Sequence, residues 1–385
     1  MRPHTLPYAR QWVDDIDIAA VIEALRSDWL TTGPKVAEFE HAVADLVGAK
    51  AAVAVSSGTA ALHTAMYAAG IGPGDEVVVP AMTFVATPNA VVFQGGTPVF
   101  ADVHPHTLLV DPQDVAAKIT PRTKAIVAVD YAGHPCEYDT LRTLADRHGL
   151  VLIADACHAL GAAYKGKKVG TLADLTVFSF HPVKHITTGE GGMVVTDHSE
   201  FAAKMRRFRN HGIATDHHQR TQQGTWYYEM VELGYNYRIT DFQCALGLSQ
   251  LRKLPAWIAR RRTIAHRYNR AFSGRLLFKP LAVSPEVCHA YHLYVVQLNL
   301  DEVPISREHI FRALREHGIG VNVHYMPPHL HPYYRRWLGS RVGTCPVAEN
   351  AYARLLSLPL FHGMSDQDVD DVIAAVHHLE RRYAG

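Results

Sequence analysis

The chain has 385 residues, 48% of them apolar and 19% charged, with 38 lysines and arginines against 37 aspartates and glutamates. That length suits two or so domains around a large core, and the composition is that of an ordinary soluble globular protein. A net charge of +1 leaves no broad electrostatic case for nucleic acid or an anionic membrane surface.

No apolar run approaches the ~18 residues of a membrane span. The start, Met1-Arg-Pro-His-Thr-Leu-Pro-Tyr8, lacks the apolar centre of a signal peptide. Cys136, Cys157, Cys244, Cys288 and Cys345 are odd in number and lack C-x-x-C spacing. That argues against a disulfide framework and a zinc knuckle, and makes the cytoplasm the default compartment. Histidine is abundant, with 25 copies. His104/His106, His217/His218 and His329/His331 have neither H-E-x-x-H spacing nor a clear carboxylate companion, so they read as scattered loop histidines and no metal is expected.

Asp15–Leu25 and Val36–Leu46 have helical spacing. Ala51–Val55 is a short apolar strand, after which Ser57-Gly58-Thr59 opens an Ala-rich helix that Gly70 ends. Gly72–Asp75 is a turn before the strand Glu76–Pro80. Further strands are expected at Pro98–Val103, Ala125–Asp130, Val151–Asp155, Thr176–Phe180 and Met193–Thr196, with helices at Tyr138–His148 and Glu200–Asn210. Strands alternating with helices imply an α/β fold with a mostly parallel sheet, and ligands bind beyond the carboxyl ends of such strands. Gln219–Gly224 is polar and reads as a mobile loop. A long helix follows from about Asp241 to Phe272, which Pro255 could kink. Its basic run Arg260–Arg262 reads as a solvated face. The strand Leu293–Leu300, the helix Arg307–His317, the strand Gly320–Tyr325 and a closing helix Asp366–Arg382 make a smaller α/β unit. Residues 1–25 are thus an arm and helix, 26–250 a large domain, and 251–385 a connecting helix with a small domain.

Four features bear on one site. Lys184 follows the apolar run that ends at Phe180 and precedes a Gly-rich turn. An amine shielded from water there has a lowered pKa and can form a Schiff base with an aldehyde, above all that of pyridoxal phosphate. Ser57-Gly58-Thr59 sits at a helix start, where free N–H groups and the helix dipole suit a phosphate; a plain N-cap by Ser57 is the other reading. Asp155 ends a buried strand and needs a partner, either a pyridine nitrogen or a structural ion pair. His158, one turn on, could touch the same ring. Ser179 could donate to a phosphate or be an ordinary strand hydroxyl. Phe84 could stack on a flat ring or belong to the core.

A phosphate cradle, a strand-end acid and a strand-end lysine, in that order on successive α/β units, look like a fold-type-I pyridoxal-phosphate enzyme. Four segments narrow the match. They are Ser57-Gly-Thr-Ala-Ala-Leu, Asp155-Ala-Cys-His-Ala-Leu-Gly, Phe178-Ser-Phe-His-Pro-Val-Lys-His-Ile-Thr-Thr-Gly-Glu-Gly-Gly192 and Glu232-Leu-Gly-Tyr-Asn-Tyr-Arg238. They resemble the DegT/DnrJ/EryC1/StrS sugar aminotransferases. His181–Glu190, Asp130–Gly133 and Asn322–Tyr325 are similar to the branch that serves pseudaminic-acid synthesis.

The resemblance implies an aspartate-aminotransferase-like fold: a large cofactor-binding domain on a mostly parallel sheet, and a smaller C-terminal α/β domain. It implies Lys184 as the Schiff-base lysine, Asp155 on the pyridine nitrogen, and Ser179 with the Gly58-Thr59 backbone on the phosphate. His158 and Phe84 would flank the ring. Asn236 would reach a neighbouring subunit's site, making the active unit a homodimer. Tyr8, Asp28, Trp29, Leu30 and Thr31, with Asn322, Val323, His324 and Tyr325, would line a pocket for a UDP-linked 4-keto sugar, with L-glutamate as donor. The family's dehydratase branch has histidine in place of the lysine. Here position 184 is Lys, which leaves the dehydratase and a non-enzymatic regulator as the weaker alternatives.

Overall fold

The computed structural model describes residues 4–215, 220 and 224–384. His217, His218 and most of the segment 219–224 therefore lie outside the described residues.

The centre is a seven-stranded sheet. Its strands are β1 (Ala51–Val55), β2 (Glu76–Pro80), β3 (Thr97–Ala101), β4 (Thr123–Val129) and β5 (Val151–Asp155). After the short β6 (Ala163–Tyr164) and β7 (Lys167–Lys168) come β8 (Leu175–Ser179) and β9 (Gly192–Thr196). The sheet order is β1-β9-β8-β5-β4-β2-β3. β9 pairs antiparallel with both neighbours, and all other pairings are parallel. The inner strands are continuous apolar runs such as Val77-Val-Val79, each wholly buried. Two covered faces select such runs instead of polar–apolar alternation.

Helices α1 (Asp15–Arg26) and α2 (Pro34–Val47) precede the sheet. Helix α3 (Gly58–Ala68) follows β1, and Ser57 caps it by accepting the Ala60 N–H at 3.0 Å. Gly192 of β9 lies beneath that turn. A Cβ there would run into the Ser57 carbonyl and the Gly58 nitrogen, so only glycine lets β9 pass so close.

The expected long helix is two helices, Asp241–Leu251 and Leu254–Phe272. Pro255 has no N–H and its ring would strike a carbonyl one turn back, so it opens the second helix and does not kink a single one. The expected solvated basic face also needs correction. Arg261 is 1% exposed and donates from Nη1 to the carbonyls of Tyr291, His292 and Leu360 at 3.0–3.3 Å. Arg260 pairs with Asp366, and Arg262 donates to the His289 carbonyl.

The smaller unit holds an antiparallel sheet of β10 (Phe278–Pro280), β12 (Tyr294–Leu298) and β13 (Leu355–Leu358); the short β11 (Val287–Cys288) pairs with β6. Gly320–Tyr325 is not a strand of it. That segment makes isolated bridges, Leu6 to Ile319 and Asn322 to Ser357, because no ladder runs on beyond them. The helices Arg307–Glu316 and Asp366–Tyr383 complete the unit. No described helix is long and apolar enough to cross a membrane.

Helix α1 is tied down by a buried carboxylate. Asp17 is wholly buried and accepts from Ser249 Oγ (2.6 Å), Lys253 Nζ (2.8 Å) and Gln250 Nε2 (3.2 Å). Asp17→Ala would remove the acceptor of three side-chain donors, two of them well inside the protein, leaving Gln250 the Trp12 carbonyl and Lys253 the Asp14 carboxylate. We expect a loss of about 2–4 kcal/mol in urea unfolding at neutral pH. A change under ~0.5 kcal/mol would show that α1 docks through its apolar contacts alone.

Candidate active site

A cavity of about 520 Å³ opens beyond the carboxyl ends of β1, β2, β4, β5 and β8. β5 and β8 are neighbours, with Asp155 opposite Val177, so the acid that ends one strand stands beside the turn that leaves the other.

That turn carries Lys184, and its backbone is pinned at several points. Lys184 N–H donates to the His181 carbonyl (2.9 Å), and Thr187 Oγ1 (2.9 Å) and Thr188 N–H (3.1 Å) both donate to the Phe180 carbonyl. Thr187 N–H donates to Gln250 Oε1 at 3.0 Å. The same buried amide donates to the Trp12 carbonyl (2.7 Å) and to Asp17. Burial pushes the Lys184 amine below its ordinary 10.5, with Cys157 and Asp155 pulling the other way. A neutral fraction of amine is therefore present at lower pH than on an exposed lysine.

Asp155 is 7% exposed and keeps two partners. Its Oδ2 accepts the Thr87 hydroxyl at 2.7 Å, and its Oδ1 accepts the Cys157 N–H at 3.3 Å. Thr83 Oγ1 lies 2.7 Å from Thr87 Oγ1. Thr87 gives its proton to Asp155, so Thr83 is the donor of that second bond. The carboxylate has lone-pair sites left for one further donor from the cavity.

Ser57, Gly58 and Thr59 bring the start of α3 to the wall, next to Ser179 at the end of β8. His158 Nε2 lies 3.1 Å from the Tyr325 hydroxyl, and its ring packs on His292 with centroids 4.3 Å apart. Burial drives both imidazoles well below their ordinary pKa, so both are neutral. Phe84 is 54% exposed at the rim, its ring 5.5 Å from that of Tyr325. His324 faces Tyr8 and shares its Nδ1 with Ser357 Oγ at 2.8 Å.

Lys184, Asp155, Gly58, Thr59, Phe84, His158 and Ser179 thus share one wall with Tyr8, Asn322, Val323, His324 and Tyr325. Asp28, Trp29, Leu30, Thr31 and Asn236 are not on it. All five are exposed; Thr31 bridges Thr240, and Asn236 bridges Asn210. Sequence reasoning missed Thr83, Thr87, Cys157, His181, Val183, Glu190 and His292, which also line the cavity. Thr83 and Thr87 sit four apart at a helix start and could have been found. Nothing near His292 in the sequence points to the site.

His134, His158, His185, His289, His292 and His324 lie outside helices and strands and are buried, as is His329 in the short helix Pro328–Leu330, where its Nε2 is 2.8 Å from Glu349 Oε1. Among the described residues no group of three His, Cys, Asp or Glu could hold a metal ion.

The model of the DegT/DnrJ/EryC1/StrS aminotransferase family matches residues 12–377. This chain belongs to that family. It is 44% identical over 380 residues to the spore coat polysaccharide biosynthesis protein SpsC of Bacillus subtilis, covering 98% of each. Its fold superposes on Helicobacter pylori PseC, an aminotransferase involved in pseudaminic acid biosynthesis, with a TM-score of 0.92 and 34% identity over 98% of this chain and 100% of that one. The PLP form of the putative sugar aminotransferase Spr1654 from Streptococcus pneumoniae superposes with a TM-score of 0.91 and 33% identity over 98% and 99%. The protein is a sugar aminotransferase of the DegT/DnrJ/EryC1/StrS family on the fold-type-I architecture.

In this aminotransferase a Cβ at position 58 would meet Ser179 Cβ at 2.8 Å and Oγ at 2.9 Å. Gly58→Ala should push the serine off the helix start. We expect pyridoxal phosphate to bind the cofactor-free protein roughly tenfold or more weakly in equilibrium dialysis, that is ~1.4 kcal/mol or more. Unchanged affinity would mean that this junction does not hold the phosphate.

Proposed function

We propose that this enzyme moves the amino group of L-glutamate to C4 of a UDP-linked 4-keto sugar, releasing 2-oxoglutarate. The substrate we favour is UDP-2-acetamido-2,6-dideoxy-β-L-arabino-hex-4-ulose, and the product UDP-4-amino-4,6-dideoxy-N-acetyl-β-L-altrosamine, for pseudaminic acid biosynthesis. The observation that carries the reading is a buried amine and a strand-end carboxylate facing one cavity beside a helix start.

The cofactor is pyridoxal 5′-phosphate. The chain's own groups suit it. The start of α3 and Ser179 offer N–H and O–H donors for the phosphate. Asp155 retains capacity for a ring N–H, and His158 Nδ1 is a buried atom on the wall without a hydrogen-bond partner among the described residues. When bound, this cofactor supplies an aldehyde that captures amines and a protonated ring that withdraws electrons from the bond being broken. Lys184 would tether it and, as a free amine, would take the donor's α-proton on Nζ and deliver a proton from the same atom. On the keto sugar Nζ works in the opposite direction. Asp155 holds the ring nitrogen protonated, and Thr87 keeps the carboxylate in place. Phe84 and His158 would flank the ring, while Tyr8 and Asn322–Tyr325 would meet the nucleotide sugar.

A second copy of the chain completes the unit in this reading. Asn236 and the Asp28–Thr31 turn are exposed away from their own cavity, where a partner could receive them. Trp226, Tyr227, Tyr228, Met230, Val231 and Leu233 form an exposed apolar strap 55–86% accessible, of the kind that marks an interface. We place the reaction in the cytoplasm, which suits five unpaired cysteines.

The higher identity to SpsC favours a second reading, in which the reaction is the same and the sugar differs, as in perosamine- or aminoarabinose-type aminotransferases. NMR of products from glutamate and a panel of 4-keto nucleotide sugars decides between them. Turnover of the altrosamine precursor at least tenfold faster than the others supports the first reading, and its rejection removes it.

Borohydride should fix the cofactor on Lys184, and Lys184→Ala should lose about 10³-fold or more in turnover. Full activity without added amine would overturn the assignment. Cofactor capture by the cofactor-free protein should rise with pH as Nζ loses its proton. Because burial lowers the folded pKa, the midpoint should fall below 10.5. A midpoint at or above that value would mean that water reaches the amine freely.

A further inference from the structure

The segment 289–293 passes from the small unit to the cavity and is held on both sides. Ala290 N–H donates to the Gly133 carbonyl (2.9 Å) and Leu293 N–H to the Ala132 carbonyl (3.2 Å). From the other side Arg261 grips the carbonyls of Tyr291 and His292. A wholly buried guanidinium is costly to desolvate, so its three carbonyl partners fix this backbone firmly.

The grip presents one side chain to the site. His292 is 3% exposed and lines the cavity. Its ring lies 4.3 Å from the His158 ring with a 38° tilt, and 5.6 Å from the His185 ring on another side. His185 is fixed in turn by the Ala290 carbonyl, 3.1 Å from Nε2. Among the described residues the His292 Nδ1 has no hydrogen-bond partner. It offers His158 a flat surface and no competing bond. Among the described residues the His158 side chain has a single polar contact, the Tyr325 hydroxyl, which holds one ring atom and leaves the ring plane to its packing. Burial, with Lys184 and Arg261 nearby, keeps His292 uncharged, so it does not repel the amine.

We propose that His292 is a positioning residue of the transamination: a neutral ring that backs His158 and sets the plane in which His158 meets the cofactor. The proposal rests on the reading of His158 as a cofactor neighbour. It predicts that flatness and volume at position 292 matter, and the ring nitrogens do not.

Three variants separate these properties. His292→Phe keeps a flat ring, His292→Leu keeps bulk without flatness, and His292→Ala removes both. In the holoenzyme we expect His292→Ala and His292→Leu to lower kcat about ten- to a hundredfold, with KM for the sugar within about twofold, because a misplaced ring costs rate and not binding. His292→Phe should return to within about threefold of the parent. Crystal structures of the cofactor-free variants should show the His158 ring turned, and its 3.1 Å contact with Tyr325 lost, in Leu and Ala but not in Phe. Unchanged kcat in His292→Leu, a His292→Phe enzyme as slow as His292→Leu, or an unmoved His158 would each overturn the proposal. Should His292→Ala fail to fold, the Phe–Leu pair carries the same contrast. Absence of borohydride labelling at Lys184 in the parent would instead defeat the cofactor reading, while the crystallographic arm still decides what His292 does to His158.

Discussion

Adjacent strands β5 and β8 run parallel with Asp155 paired opposite Val177, and this register sets the distance from the acid to the lysine turn. A slip of one residue would turn every side chain of β8 to the other face of the sheet. Buried strands resist such a slip because both faces are apolar and packed. The lysine turn would still wander on its own, since it is loop beyond Phe180. The two threonines at 187 and 188 fold it back on the Phe180 carbonyl, and Gln250 holds it from outside. The reach of one flexible side chain is thus confined by backbone bonds on each side of it.

Gln250 also explains why helix α1 matters to a cavity whose wall it does not join. Its amide joins the Trp12 carbonyl, Asp17 and Thr187 N–H in one buried set. Gln250 and Asp17 are buried, so each relies on these partners in place of water. The helix Asp241–Leu251 thereby couples α1 to the lysine turn without any contact between α1 and the cavity.

The strand ends were readable because their chemistry is local. An apolar run followed by one acid or one lysine is a pattern within about ten residues, and Asp155, Lys184, Ser179 and the Ser57–Thr59 turn all have it. The parallel sheet followed from alternating strand and helix periods. What escaped depends on distant segments meeting. Gln250 and His292 lie 66 and 108 residues from Lys184 by number, and nothing in their own neighbourhoods marks them. Arg261 escaped because a run of three arginines at helical spacing puts one on the inner face, and only the carbonyls of 291, 292 and 360 make burial there tolerable. β13 escaped because Leu355-Leu-Ser-Leu358 is too short to show a period. The break at Pro255 was visible as a proline, but a kink and a new start look alike in sequence.

Charge balance points to what lies beyond a single chain. Among the described residues of the cavity wall, Lys184 is the sole lysine or arginine. The proposed ligands are a phosphorylated cofactor, a dicarboxylate and a nucleoside diphosphate sugar, all anionic. The start of α3 supplies about half a positive charge, and neutral histidines supply none. Buried anions need paired cations or several N–H donors. Asn236, exposed, and Arg238, half-buried, follow the apolar strap and are not on the wall of their own cavity, and Arg238 donates to Asn210 Oδ1 at 2.8 Å. In the dimer proposed above, a second copy would bring polar groups to the open side of a wall that carries one cation of its own.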